Sequence, residues 1–264
     1  MIIEEISAFA RACLLKGRRS DLLIGRLGAQ HLRASTTPFK RCALAKARIV
    51  LIYGEELKSR WKFALKFAKI YPYMVINYFG NGCFRLQSGE TSLLVNPDNN
   101  RLKADVTLKT LTATAPEAVA EPTEEIVISF AGEYEEKEIE ILGFPIAEES
   151  TDKFLKTAYA VLWEGMKFVF LGHLSKPIDA TLMEEFSEPD VLFLPVGGGH
   201  FLEPEVAAKI AKQLEARIII PSFYKDPTEF LKAFGKKGEE MDKFVFKQKD
   251  IATDRGRAVI LKAN

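Results

Sequence analysis

From residue 74 onward, short apolar runs alternate with breaks marked by Gly and Pro, and the lengths of the runs separate strands from helices. Residues 75–79, 83–87 and 92–95 are set apart by Gly80-Asn81-Gly82 and Ser88-Gly89-Glu90, a spacing that predicts a meander of short strands closing at Asn96-Pro97-Asp98. Residues 104–109, 125–130, 137–142 and 157–163 continue the strand pattern, with a turn at Ala131-Gly132-Glu133-Tyr134 and another at Glu164-Gly165. The rhythm then changes. An apolar run over 166–172 ends in Gly172, and a loop over 173–177 leads to Asp179, a suitable N-cap for a helix over 180–186. Val191-Leu192-Phe193-Leu194 forms the next strand, and Pro195 to His200 makes a Gly-rich loop before a helix over 203–214. That helix places Val206, Ile210, Ala211 and Leu214 on one face, and the chain returns through a buried strand over 217–221 to Ser222-Phe223-Tyr224. Two successive strand-loop-helix units open their loops on one edge of a sheet, where ligands bind in folds of this kind. A helix over 227–234 and strands over 243–246 and 257–261 complete the expected order.

Composition narrows the class. With 47% hydrophobic and 28% charged residues in 264, the chain is neither disordered nor membrane-embedded in character, and its length suits one domain with an appendage. Charge divides it. Residues 1–73 hold 15 Lys and Arg against 5 Asp and Glu, a balance of +10, whereas 74–264 hold 22 against 31, a balance of −9. The basic part reads as partly helical, over 4–15 and 55–70, and a basic helix with interleaved aromatic residues is the one feature that points toward nucleic acid. Its stronger reading is an extension whose compositional break at Met74 suggests a start there, with the preceding residues read through from upstream. Three cysteines, Cys13, Cys42 and Cys83, show neither paired nor metal-type spacing, so a reducing, cytoplasmic setting is expected, with no membrane contact.

The stretch from Leu171 to Tyr224 resembles the second half of the metallo-β-lactamase fold, in the branch of zinc-dependent hydrolases similar to ascorbate-phosphate lactonase. In that family the text runs approximately L-G-D, then D-x-L-x-x-P-V-G-G, a helix, and I-P-x-H-Y. Here the counterparts are Leu171-Gly172-His173, Asp190 to Gly198, and Ile220-Pro221-Ser222-Phe223-Tyr224. The opening meander and the Gly132-Glu133-Tyr134 segment are similar as well, although Asn81 stands where the family often has His and Asn96 where it often has Asp. The resemblance implies an α/β (α+β) chain with a four-layer αββα sandwich over 74–264, preceded by the helical basic extension, and a zinc-dependent hydrolysis of a small phosphorylated or lactone-like substrate.

The ligands that this chemistry needs are substituted. Imidazoles and carboxylates hold the zinc, which lowers the pKa of a bound water until hydroxide forms at neutral pH. The family's loop T-H-x-H-x-D-H corresponds to Thr110 to Pro116, so Leu111, Ala113, Ala115 and Pro116 stand at vestigial ligand positions. His173 occupies the position of the bridging carboxylate and Phe223 that of the last histidine. No complete zinc site remains, and no cofactor is expected. Of the three histidines, His31 falls in the basic extension, while His173 and His200 lie on the two loops of the ligand edge. They could converge with Thr110, Asn81 and Tyr224 into a remodelled hydrolytic site, or be loop histidines without catalytic duty. Gly197-Gly198-Gly199 lacks the Lys-Ser/Thr of a P-loop, and no G-x-S-x-G elbow is present. The leading expectation is a metal-free, catalytically degenerate member of the fold with a binding or assembly role toward a small molecule or protein.

Overall fold

A computed structural model describes residues 73–99, 101–114 and 125–264. The expected helices over 4–15 and 55–70, His31, and the vestigial positions Ala115 and Pro116 lie outside the described residues.

Strand polarity follows from side-chain alternation. In β1 (Met74–Tyr78) the alternate residues Met74, Ile76 and Tyr78 are buried while Val75 and Asn77 are half-buried, as expected for a strand with one core face. It pairs antiparallel with β2 (Phe84–Ser88), which pairs with β3 (Thr91–Val95). Parallel pairing then carries the sheet through β4 (Val106–Leu108) to β6 (Ile126–Ile128), and β14 (Lys243–Phe246) closes its other side against β1. The second sheet runs in the order β13 (Gly238–Met241), β15 (Arg257–Leu261), β12 (Ile218–Ser222), β11 (Val191–Pro195), β10 (Met166–Phe170), β9 (Phe154–Trp163), β8 (Ile139–Pro145) and β7 (Gly132–Glu136), with β5 (Leu111–Ala113) paired to β9. Its centre, from β10 to β12, is parallel.

Apart from Lys167 and Ser222, those central strands are apolar because both of their faces are covered. Phe168, Phe170, Val191, Phe193, Ile218 and Ile220 join a core between the sheets. Val169, Leu192, Leu194 and Ile219 point the other way, into a second core shared with α1 (Ala180–Glu185), α2 (Pro204–Gln213) and α3 (Thr228–Phe234). Asp179 caps α1 as expected, accepting from Leu182 N at 2.8 Å. Two facing sheets with helices against the second are consistent with the αββα sandwich.

Four segments differ from their sequence-based expectation. Residues 132–136 form an edge strand where a turn was expected, because Tyr134 alternates inward between exposed Glu133 and Glu135 and donates its hydroxyl to Phe130 O at 3.2 Å. The loop expected after Lys109 contains β5, since β9 begins at Phe154, three residues earlier than its apolar run indicates, and supplies a pairing edge for Leu111–Ala113. β13 and α4 (Gln248–Ile251) carry little apolar periodicity of their own; Gly238–Met241 is a strand because it pairs in parallel with β15.

Candidate functional site

The C-terminal ends of β3, β4, β10, β11 and β12 bring their loops together, and a short polar relay joins them. Asn96, which follows β3 with φ +49°, turns its side chain toward the residue that follows β4. Its Oδ1 accepts from Thr110 N at 2.8 Å and from Thr110 Oγ1 at 3.0 Å. Thr110 Oγ1 in turn lies 2.8 Å from His173 Nδ1, in the loop after β10. The backbone bond fixes which end of the amide faces Thr110, because only the oxygen can accept from an N–H. With the hydroxyl proton directed to Asn96, His173 Nδ1–H is the donor to Thr110 Oγ1. His173 is thus the Nδ1–H tautomer, leaving Nε2 as its lone pair.

The approach of the loops is close enough to require glycine. A Cβ at Gly172 would stand 2.3 Å from Thr110 Cβ, so any larger residue there would part the two sheets at this point.

Aromatic side chains fill the rest of the edge. The His173 ring lies 4.7 Å from that of Phe223 and 6.0 Å from that of Phe201, and the two phenylalanine rings stack at 4.3 Å. On its other side Phe223 rests on Gly82, where a Cβ would meet its Cζ at 2.1 Å. Phe223 therefore lies in the space between the two sheets' loops, at φ +54°, a backbone region unusual for a bulky residue. Burial among these rings, aided by the Lys156 ammonium and opposed by Asp98, pushes the His173 pKa down to about 4, so the imidazole is neutral at neutral pH.

The loop after His173 is anchored by a buried carboxylate that the motifs did not mark. Glu149, at the end of a 3-10 turn over Ala147–Glu149, accepts from Ser175 N at 2.9 Å, Ser175 Oγ at 2.5 Å, Lys176 N at 2.7 Å and Lys156 Nζ at 2.7 Å. Burial alone would raise its pKa, but these donors outweigh it and hold the carboxyl below its ordinary value.

The other candidate residues are dispersed. His200 is exposed and makes no hydrogen bond or ring contact with His173 among the described residues. Asn81, exposed at φ +46°, donates to Asp98 Oδ2 at 3.0 Å. The Tyr224 hydroxyl donates to Leu261 O at 3.3 Å, and burial, with the fields of Tyr78 and Glu240, pushes its pKa up to about 12. Leu111 and Ala113 are half-buried in β5, so Thr110 rather than Leu111 supplies the side chain that meets His173. Of the proposed remodelled set, the structure brings together Thr110 and His173 only. Asn96, Phe201, Gly82 and Glu149 complete the surroundings, and of these Asn96 and Gly82 carried a sequence signal, in the Asn-Pro break and the Gly-Asn-Gly turn.

A zinc site needs three or four nitrogen, sulfur or carboxylate donors converging at about 2 Å. Among the described residues no group of three or more His, Cys, Asp or Glu side chains could hold a metal ion. The His173 imidazole is bonded to a hydroxyl and packs at a tilt against Phe223. These residues do not fit zinc.

Comparison with known proteins accounts for the frame on which this edge is built. The chain is 35% identical over 97 residues to the UPF0173 metal-dependent hydrolase of Listeria innocua, a match covering 34% of this chain and 38% of that protein. A similar protein of Archaeoglobus fulgidus matches at 27% over 100 residues, covering 43% of its length. The chain thus spans about two fifths of the curated relatives that it matches. Among solved structures, a Zn-dependent hydrolase of the metallo-β-lactamase superfamily from Thermotoga maritima superposes with a TM-score of 0.59 at 27% identity, covering 71% of this chain and 98% of that one. The family model for the beta-lactamase superfamily domain matches residues 75–222, from the first strand to the end of β12. By that match the chain belongs to the beta-lactamase superfamily.

Proposed function

We propose that this chain is a catalytically degenerate member of its superfamily that keeps the sandwich as a scaffold for binding or assembly. The observation that carries the reading is the Phe223 side chain: at the position of the family's last metal-binding histidine, a phenylalanine ring packs between Gly82 and His173. That ring occupies space with no lone pair to offer, and the neighbouring imidazole is committed through Nδ1 to Thr110. Among the described residues hydroxide-generating chemistry has no donor set to work from, whereas apolar strands and close-approach glycines hold the loops. Within the superfamily, the order of Leu171-Gly172-His173, Asp190 to Gly198 and Ile220 to Tyr224 supports placing the chain beside ascorbate-phosphate lactonase.

Elemental analysis of the full chain, purified without chelator, tests the proposal. The expected result is zinc and iron well below one ion per chain, with calorimetric titration of zinc giving no stoichiometric binding. Stoichiometric metal whose removal abolishes a phosphoesterase or lactonase activity would overturn it.

A further inference from the structure

Phe223 is held in its left-handed backbone conformation from three directions. Its ring lies against Gly82, and its carbonyl oxygen crowds Gly197, where a Cβ would come within 1.8 Å. The remaining face of the ring meets His173 and Phe201. A phenylalanine does not adopt this region without opposition from its own Cβ, and residues in such conformations persist only where their surroundings over-determine them. Gly197 and Phe201 meet Phe223 through shape, and the Tyr78 hydroxyl is hydrogen-bonded to the backbone of both Gly82 and Phe223. The place of His173 is set by hydrogen bonds that run through Thr110 to Asn96 and so to the opposite sheet. The ring on which Phe223 leans is therefore fixed by a polar tie that crosses between the sheets.

We propose that the Asn96–Thr110–His173 relay is a clasp holding the loop edge in a closed, strained conformation, and that its release lets Phe223 leave the left-handed region and uncovers Gly82 and Phe201. The clasp stands on hydrogen bonds and backbone angles, independently of whether any hydrolytic activity survives. It gives the fold two arrangements of one edge: a closed one, sealed by aromatic packing, and an open one presenting an apolar surface between the two sheets. Bistable packing of this kind is how small local changes become discrete switches.

Two measurements on the full chain test it. Nitrogen-15 NMR of the histidine rings in the unaltered protein is expected to report the Nδ1–H tautomer for His173; an Nε2–H tautomer would overturn the relay without need of a variant. Hydrogen exchange followed by mass spectrometry then compares Thr110→Val, which deletes the hydroxyl at nearly constant shape, with Thr110→Ser, which keeps it. Thr110→Val is expected to raise exchange at least tenfold in residues 171–175 and 221–225 while leaving 168–170 and 191–194 unchanged, and Thr110→Ser to match the parent. Unchanged loop exchange in Thr110→Val, or an equal rise in the core strands, would overturn the clasp. In a Phe223→Gly background, where neither the strain nor the ring remains, Thr110→Val is expected to have no further effect on 221–225. A full additional effect there would likewise count against it.

Discussion

His173 carries an imidazole in surroundings that oppose its charge, and this has a measurable consequence. Its pKa in the folded protein is pushed down to about 4 from an ordinary 6.5, by burial first and by Lys156 second. Above pH 6.5 both folded and unfolded chains hold the ring neutral, so it contributes no pH dependence. Between 6.5 and 4 the unfolded chain takes up a proton that the folded chain refuses, so stability falls as pH falls through that window and levels off below it. The loss attributable to this ring is at most about 3 kcal/mol, reduced by its partial exposure. His173→Asn can still donate to Thr110 from its amide but cannot titrate. Urea unfolding at pH 7 and pH 4.5 is expected to show a smaller acid loss in that variant than in the parent, and equal losses would show that the imidazole is not the group responsible. Other carboxylates titrate in both proteins, so the difference isolates the ring.

At the scale of elements, the loop after β10 keeps its path because Glu149 binds two of its backbone N–H groups and the Ser175 hydroxyl while pairing with Lys156. The carboxylate side chain is only 3% exposed and Lys156 19%, so removing the acid leaves several donors and one ammonium without their partner in a place that water reaches poorly. Glu149→Ala is expected to lower stability by about 3 kcal/mol in equilibrium unfolding at pH 7. The adjacent, exposed Glu148→Ala should stay within about 0.5 kcal/mol of the parent. Similar effects from the two substitutions would mean that Glu149 does not organise the loop. Nothing periodic marks Glu149 in the run Ala147-Glu148-Glu149-Ser150; its role depends on β8, β9 and the loop after β10 meeting, which no local pattern encodes. β7 is a parallel case. Its Gly-Glu-Tyr opening reads as a turn by composition, yet pairing with β8 along 132–136 makes it a strand.

At the scale of the whole molecule, the ligand edge can be tested by reversing its substitutions. Thr110 and Phe223 both reach His173, so the loops that would share a metal already converge. A variant carrying Leu111→His, Ala113→His, Ala115→Asp, Pro116→His, His173→Asp and Phe223→His is therefore expected to bind zinc stoichiometrically by calorimetry where the parent does not. Failure to bind would show that the segment after Thr110 does not follow the superfamily's path. By itself, the sequence determined the succession of strands and helices from residue 74, β5, β7, β13 and α4 excepted, because burial on one or both faces leaves a period that survives in a linear string. It also determined that, apart from His173, the expected ligand positions hold neither histidine nor carboxylate, since lone-pair donors are a property of residue type. Only the tertiary structure decided what replaced them. His173 meets Thr110 across 63 residues, and Phe223 meets Gly82 from the other sheet, contacts governed by how two sheets pack and where glycine permits close approach. The tautomer of His173 and the left-handed backbone of Phe223 follow from those meetings, and side-chain packing between distant segments leaves no period for a sequence to display.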